Sequence, residues 1–263
     1  MSAVTGAAGR RALPGWVRVA APVAVGLVGL LAWILVVDVL EAAPRMLPSP
    51  FAIAEEFVKR WGIIAPDMAI TGGNALAGLV AGTVLAVLAA ALAAAARPID
   101  GMLAPLVAAL AVIPIVALTP ILNTMFGASS QFGRQAVAAI AAFVPVFVNV
   151  LRGLRQTRPV QRDLLRATAA GRVQTFRILT LPTALPYLLT GIRIAASLAV
   201  ISALVAEYFG GPADGVGTAI ATYAKSGRAA LAWAFVGGGI VIGLAFFFAT
   251  SLLERLATRR TPI

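Results

Sequence analysis

A chain of 263 residues with 60% of them apolar, 12% charged and a mean hydropathy of +0.95 has a membrane composition, because soluble domains are roughly 45–50% apolar. It contains no cysteine and no histidine, which excludes disulfides and thiolate metal sites and removes the commonest general base and metal ligand. A net charge of +11 would suit nucleic acid in a soluble protein; in a chain that spans a bilayer the arginines are expected to set orientation instead, and no nucleic-acid partner is expected.

In chain order, apolar runs at 17–37, 69–96, 102–122, 135–150, 186–208 and 231–253 are each near the length that crosses about 30 Å of hydrocarbon as helix. They predict an all-α polytopic membrane protein with six transmembrane helices in a single domain over 1–263. The first run follows Arg10 and Arg11 as a signal peptide would, but it is longer than a usual apolar signal core and no small-residue cleavage site follows it. It is expected to be retained. With the N-terminus inside, 15 of the 21 lysines and arginines fall on cytoplasmic segments and 6 outside, a bias that predicts both termini in the cytoplasm.

Between the first two spans, Leu47-Pro-Ser-Pro50 stops the chain, and 51–61 carries apolar residues at helical spacing with charges between them. This predicts a short interfacial helix. Gly78 and Gly82, four apart in the second span, allow a neighbouring helix to come close. Asp214-Gly-Val-Gly217 has the glycines of a turn but not the strand–turn–helix setting of a phosphate cradle, and no Gly-x-x-x-x-Gly-Lys-Ser/Thr phosphate loop occurs. The chain by itself is therefore not expected to hydrolyse ATP.

The longest cytoplasmic segment, 152–182, holds seven arginines and one acid, Asp163. Asp163 can begin a helix with Leu164, Leu165 and Thr168 on one face; Gly171 allows a break, and a second short turn ends at Pro182. Two readings follow from composition alone: a docking element at the membrane surface, or a basic loop that satisfies orientation and touches anionic lipid.

The order of residues in this segment resembles the cytoplasmic loop of permease subunits of bacterial ATP-driven (ABC) importers: Glu-Ala-Ala, three residues, Gly, then nine residues before Ile-x-Leu-Pro. Counting back from Leu181-Pro182 puts Asp163 at the glutamate, Leu164 and Leu165 at the alanines, and Ala169 at the glycine, with Gly171 two residues later. The likeness extends from Leu47-Pro-Ser-Pro50 through Ile113-Pro-Ile-Val-Ala-Leu-Thr-Pro120 with Phe126-Gly127, Phe143-Val-Pro-Val-Phe-Val-Asn149 with Gly153-Leu-Arg155, Leu181-Pro-Thr-Ala-Leu-Pro186 with Gly191-Ile-Arg193, and Ala206-Glu207-Tyr208-Phe209-Gly210. Together these resemble the nitrate/sulfonate/taurine branch. Within it, Trp-Phe-Gly is common where Met125-Phe126-Gly127 stands, and an arginine is common at Asn74. The run from Leu181 to Ile201 followed by Glu207 is slightly closer to members linked to thiamine pyrimidine precursors or riboflavin.

The resemblance implies a type I importer permease fold in the bacterial inner membrane and a translocation path between two permease copies, usually a homodimer. It also implies two cytoplasmic ATP-binding subunits, which hold ATP and magnesium, and an extracytoplasmic solute-binding protein. No cofactor belongs to this chain, and it is not an enzyme. The implied ATPase-coupling residues are Asp163, Leu164, Leu165, Arg166, Ala169, Gly171 and Phe176.

Polar groups inside spans are costly and so become candidates for the substrate path: Thr119, Asn123, Asn149, Ser197, Ser202 and Glu207. Glu207 is read either as a gate or as an anchor for an outside base, and Arg193 as a side chain that snorkels to the inner surface. Two other classes remain to compare, an intramembrane lipid-modifying enzyme and a secondary transporter. The first needs convergent acids or histidines in the spans and the second buried acids near midplane, whereas here the charge is concentrated in a cytoplasmic loop.

Overall fold

Every regular element among the described residues is helical. The computed structural model describes residues 17–39, 47–127 and 129–258, so Arg10, Arg11, Arg45, Arg259 and Arg260, which enter the charge tally above, lie outside it. Helix α1 (Val17–Ile34) runs into a π-helical turn at Leu35–Val39 and meets the rest of the chain through Trp33, whose ring lies 5.5 Å from that of Trp233. Ser49 caps the short helix α2 (Pro50–Lys59) by accepting from the Phe51 amide. The sequence predicted that helix to reach residue 61, but the chain turns at Arg60, and Trp61 already opens the next helix.

Helix α3 (Trp61–Ala95) is the second span and begins eight residues before the predicted start. The third predicted span, 102–122, is two helices: α4 (Arg97–Val112) and α5 (Ile115–Phe126), bent by 105°. The reason is local. Pro114 has no amide hydrogen, and Ile113 before it takes an extended ψ of 124°, as residues before proline do. Helix α6 (Phe132–Arg155), helix α9 (Leu181–Tyr208, preceded by a π-helical turn at Phe176–Thr180) and helix α11 (Ala229–Thr258) complete the apolar set. Five helices are long and apolar enough to cross a membrane, and the bent pair makes a sixth.

α6 packs between α3 and α9, with α11 against α9 on the outer side of the bundle. The α3–α6 contact explains the two glycines. A Cβ on Gly78 would run into the Ala138 side chain and come within 2.8 Å of the Gln135 carbonyl oxygen, and one on Gly82 would meet the Ala139 carbonyl. Without side chains at these two positions the backbones approach closely, which in a membrane supplies the dispersion contact that no hydrophobic drive provides. The core is correspondingly fine-grained: Ala86, Ala138, Ala142, Ala195, Ala199 and Ala203 are fully buried.

The chain reversals give the bundle two unlike ends, about 36 Å apart along a helix of α6's 24 residues. One end gathers the starts of α3 and α6, the end of α9 and a helix the sequence reading did not foresee, α10 (Val216–Lys225). The other gathers the ends of α3 and α6, the start of α9, and the short helices α7 (Pro159–Ala167) and α8 (Arg172–Thr175).

Candidate functional site

At the α7 end, the sequence put the helix start at Asp163. The structure starts it at Pro159, at the first helical position where proline fits, and the Gln161 side chain accepts from the Arg158 amide at 3.1 Å. Asp163 is therefore mid-helix, one turn from Arg166, whose Nη1 lies 3.2 Å from its carboxylate; both side chains are largely exposed. Val160, Leu164, Val173 and Phe176 are exposed as well, Leu164 to 66% and Val160 to 78%. Leu165 is half-buried.

The break also falls elsewhere than expected. Helix α7 closes in a two-bond Schellman turn, in which the Ala170 amide donates to the Leu165 carbonyl and the Ala169 amide to the Arg166 carbonyl, both at 2.9 Å. Such a turn needs a left-handed residue, and Ala169 supplies it with φ 54°, the one non-glycine positive φ among the described residues. Gly171, which was expected to make the break, has φ −70° and ψ 167°, open to any residue. The position where the importer pattern has glycine thus keeps glycine's backbone while carrying a methyl group.

That methyl has a cost. Left-handed backbone costs an L-residue roughly 1–2 kcal/mol, while glycine brings an entropy penalty of about 0.5–1 kcal/mol. Ala169→Gly is therefore expected to stabilise the turn by up to about 1.5 kcal/mol, seen as slower hydrogen exchange at the Ala170 amide. Gly171→Ala, with open space around the added methyl, is expected to leave that amide unchanged. Faster exchange in Ala169→Gly would contradict the turn described.

At the opposite end, polar side chains from four elements converge. On α3, Asp67, Thr71 and Asn74 fall at helical spacing on the face that continues into Gly78. They meet the beginning of α10, where three successive amides need acceptors because a helix start has no earlier carbonyls. Gly215 donates to Asp67 Oδ1 at 3.0 Å, Val216 to Thr71 Oγ1 at 2.9 Å and Gly217 to Glu207 Oε2 at 3.0 Å. Thr71 Oγ1 in turn donates to Glu207 Oε2 at 2.8 Å. A helix start needs outside acceptors, and two acid side chains from other elements, Asp67 and Glu207, supply them.

Beside this cap lies Arg134 of α6, fully buried. Its Nη1 is 2.6 Å from Asp214 Oδ1 and donates to Gln131 Oε1 at 3.0 Å; its Nη2 donates to the Pro212 carbonyl at 2.6 Å and to Thr218 Oγ1 at 3.1 Å. Gln131 Nε2 reaches both carboxylate oxygens of Asp214, and Asn74 Nδ2 donates to Gln131 Oε1 at 2.9 Å. The loop between α9 and α10 is thereby tied to α3 and α6. Gly210, Gly211 and Gly215 all take positive φ there, which lets the backbone fold over the guanidinium.

The six polar span candidates do not form one site. Glu207 is 1% exposed and belongs to the cap of α10, so the structure shows it as a packing residue rather than a free group in an opening. Thr119 and Ser202 are buried in helix packing, and Asn123 is nearly so, against Gly133 and Gly210. Asn149 is half-buried and donates to Pro145 of its own helix. Ser197 opens on an apolar cavity of about 640 Å³ between α9, α10 and α11. Arg193, expected to snorkel, pairs with Glu254 of α11 at 3.1 Å. Sequence reading missed Asp67, Thr71, Gln131, Arg134 and Asp214. The spacing of Asp67, Thr71 and Asn74 along α3 is legible in the sequence, but Arg134 reads there as one of the six outside bases.

An all-α bundle of apolar helices with a helical hairpin of arginines at one end is the architecture of a polytopic membrane protein. The family model described as binding-protein-dependent transport system inner membrane component matches residues 82–261, and the chain belongs to that family of ABC transporter permeases. It is 33% identical over 168 residues to the formylaminopyrimidine transport permease protein ThiX of Halalkalibacterium halodurans, covering 64% of this chain and 67% of that one. To the riboflavin transport system permease protein RibX of Chloroflexus aurantiacus it is 31% identical, covering 62% of this chain and 60% of RibX, less than two thirds of its length. The taurine transport system permease protein TauC of Escherichia coli K12 is 28% identical, covering 89% of this chain and 86% of TauC. A chain from the inward-facing MetNI methionine ABC transporter superposes with a TM-score of 0.64 at 19% identity, over 76% of this chain and 98% of the other. The fold is that of a type I importer permease.

Proposed function

We propose that this chain is the membrane-spanning subunit of an ATP-driven importer, working as a pair of copies with two cytoplasmic ATPases and an external binding protein. The observation that carries the coupling role is the α7–α8 hairpin. Leu164 and Phe176 stay exposed beside a run of arginines at one end of a bundle whose other apolar faces suit lipid. An exposed apolar and basic helix fits a groove on a soluble ATPase, so that closure of the ATPase pair moves α6 and α9, between which the hairpin is strung. The 15-to-6 distribution of basic residues supports a cytoplasmic position for this hairpin and for both termini.

Of the polar span candidates, Asn149 and Ser197 keep accessible surface in a single copy, with Asn123 at the margin; these would face the path. Thr119, Ser202 and Glu207 would serve it by holding helices in place. The substrate is a small solute. The names of ThiX and RibX put a pyrimidine precursor or riboflavin first, with sulfonate, taurine and nitrate as the other class.

The test uses tagged chain in its native membrane. Co-purification of an ATPase, ATP-dependent uptake of the solute bound by the partner binding protein, and a cytoplasmic reporter signal from a fusion within 156–158 are the expected results. A chain that carries solute on an ion gradient without an ATPase, or a reporter signal from the outside, would overturn the reading.

A further inference from the structure

A second apolar recess, of about 370 Å³, opens at the α7 end between α3, α6 and α9. Its walls are Val87, Ala91, Val150 and Leu188, and its rim is Arg162 of α7. Two features say what it holds. The first is depth: Val87 lies eight residues up α3 from Ala95, so the recess reaches about 12 Å along the helix from the end that carries the hairpin. A recess of that depth with mostly apolar walls has the shape and chemistry for a stretch of acyl chain.

The second is charge. Arg162 Nε donates to Thr157 Oγ1 at 2.7 Å, which fixes the guanidinium at the rim, and its two Nη groups have no partner among the described residues. Arg152, Arg158, Arg172 and Arg177 share the segment, whose one acid, Asp163, already pairs with Arg166. An apolar slot roofed by a fixed, unneutralised guanidinium matches a molecule with a hydrocarbon tail and an anionic head. We infer that this recess binds an anionic phospholipid, with one acyl chain among Val87, Ala91, Val150 and Leu188 and the phosphate on Arg162. Basic pockets between helices at a membrane face suit such headgroups. Arg162 and Phe176 of the hairpin both border the recess, so a lipid and the ATPase are told apart by which of the two a blocked recess releases.

Native mass spectrometry of the full-length chain, purified with whatever subunits accompany it, tests this with two probes: phosphatidylglycerol and phosphatidylcholine of the same acyl chains. The wild type is expected to retain phosphatidylglycerol roughly fivefold better, the preference one arginine at the surface gives. Arg162→Ala should erase that preference and Arg162→Lys keep most of it. Ala94→Phe, which places a ring on the exposed wall of the recess, should lower retention of both lipids. Equal retention of the two lipids by the wild type, or wild-type behaviour in both Arg162→Ala and Ala94→Phe, would overturn the assignment. So would a loss of ATPase co-purification in Ala94→Phe with lipid retention unchanged, since the recess would then belong to the ATPase. Thermal unfolding midpoints in detergent, matched among the variants, separate lost binding from lost folding.

Discussion

Asp214→Ala is expected to destabilise the purified chain by about 3 kcal/mol, read from thermal unfolding in detergent. Arg134 is completely buried, and Asp214 is its closest counter-charge. Removing one partner of a buried pair costs about 3–5 kcal/mol because an uncompensated charge stays behind. The low end of that range applies here, since the Asp214 side chain is 35% exposed and water enters the space it leaves. The same logic gives a sign for the double variant. Arg134→Met/Asp214→Ala removes the orphaned charge as well, so it should recover part of the loss despite carrying one more change. A loss below about 1 kcal/mol in Asp214→Ala, or a double variant as unstable as the two single losses added, would show that the pair does not hold the loop to α6 as an ion pair.

Asp163→Lys and Arg166→Glu are expected to abolish most uptake while leaving insertion and abundance near normal. Their mutual salt bridge is exposed and three residues apart, so within the isolated helix it is worth only about 0.2–0.5 kcal/mol. Folding scarcely depends on it. In a docked interface, however, a reversed charge meets like charge or loses its partner in a partly desolvated place, where such losses reach about 2–5 kcal/mol. ATPase recovered by pull-down should fall in parallel with transport. If the arginines served only lipid attraction, each reversal would cost about 1 kcal/mol of surface binding and leave ATPase recovery unchanged. That outcome would remove Asp163 and Arg166 from the coupling role.

The first of these effects needs the structure, since nothing local marks Arg134 as buried, whereas the second follows from residue order, because Asp163 and Arg166 are three apart on a helix. The apolar runs were legible because a span has to be apolar on all sides that meet lipid, whatever it packs against. Gly78 and Gly82 were legible as a close-contact stripe because helical period alone puts them on one face. The order around Asp163 and Leu181-Pro182 carried the family, since local spacing survives without knowledge of the fold.

What the sequence could not supply were facts that depend on which distant elements meet. The run 102–122 reads as one span, and only the structure shows it bent by 105° at Pro114. Ala169 looked like a departure from the glycine pattern, and only its φ of 54° shows that the backbone keeps the turn and carries the strain. Arg134 reads as one more outside base until α3, α6 and the α9–α10 loop close around it. Glu207 reads as a lone acid near the end of its span until the amide of Gly217, ten residues on, is found donating to it. One sequence determined the membrane class, the number of apolar segments and the basic hairpin, because those follow from local composition and period. Whether a polar side chain is exposed, paired or buried was decided by tertiary structure, because a charge inside a bilayer is tolerated only where separate helices bring it a partner.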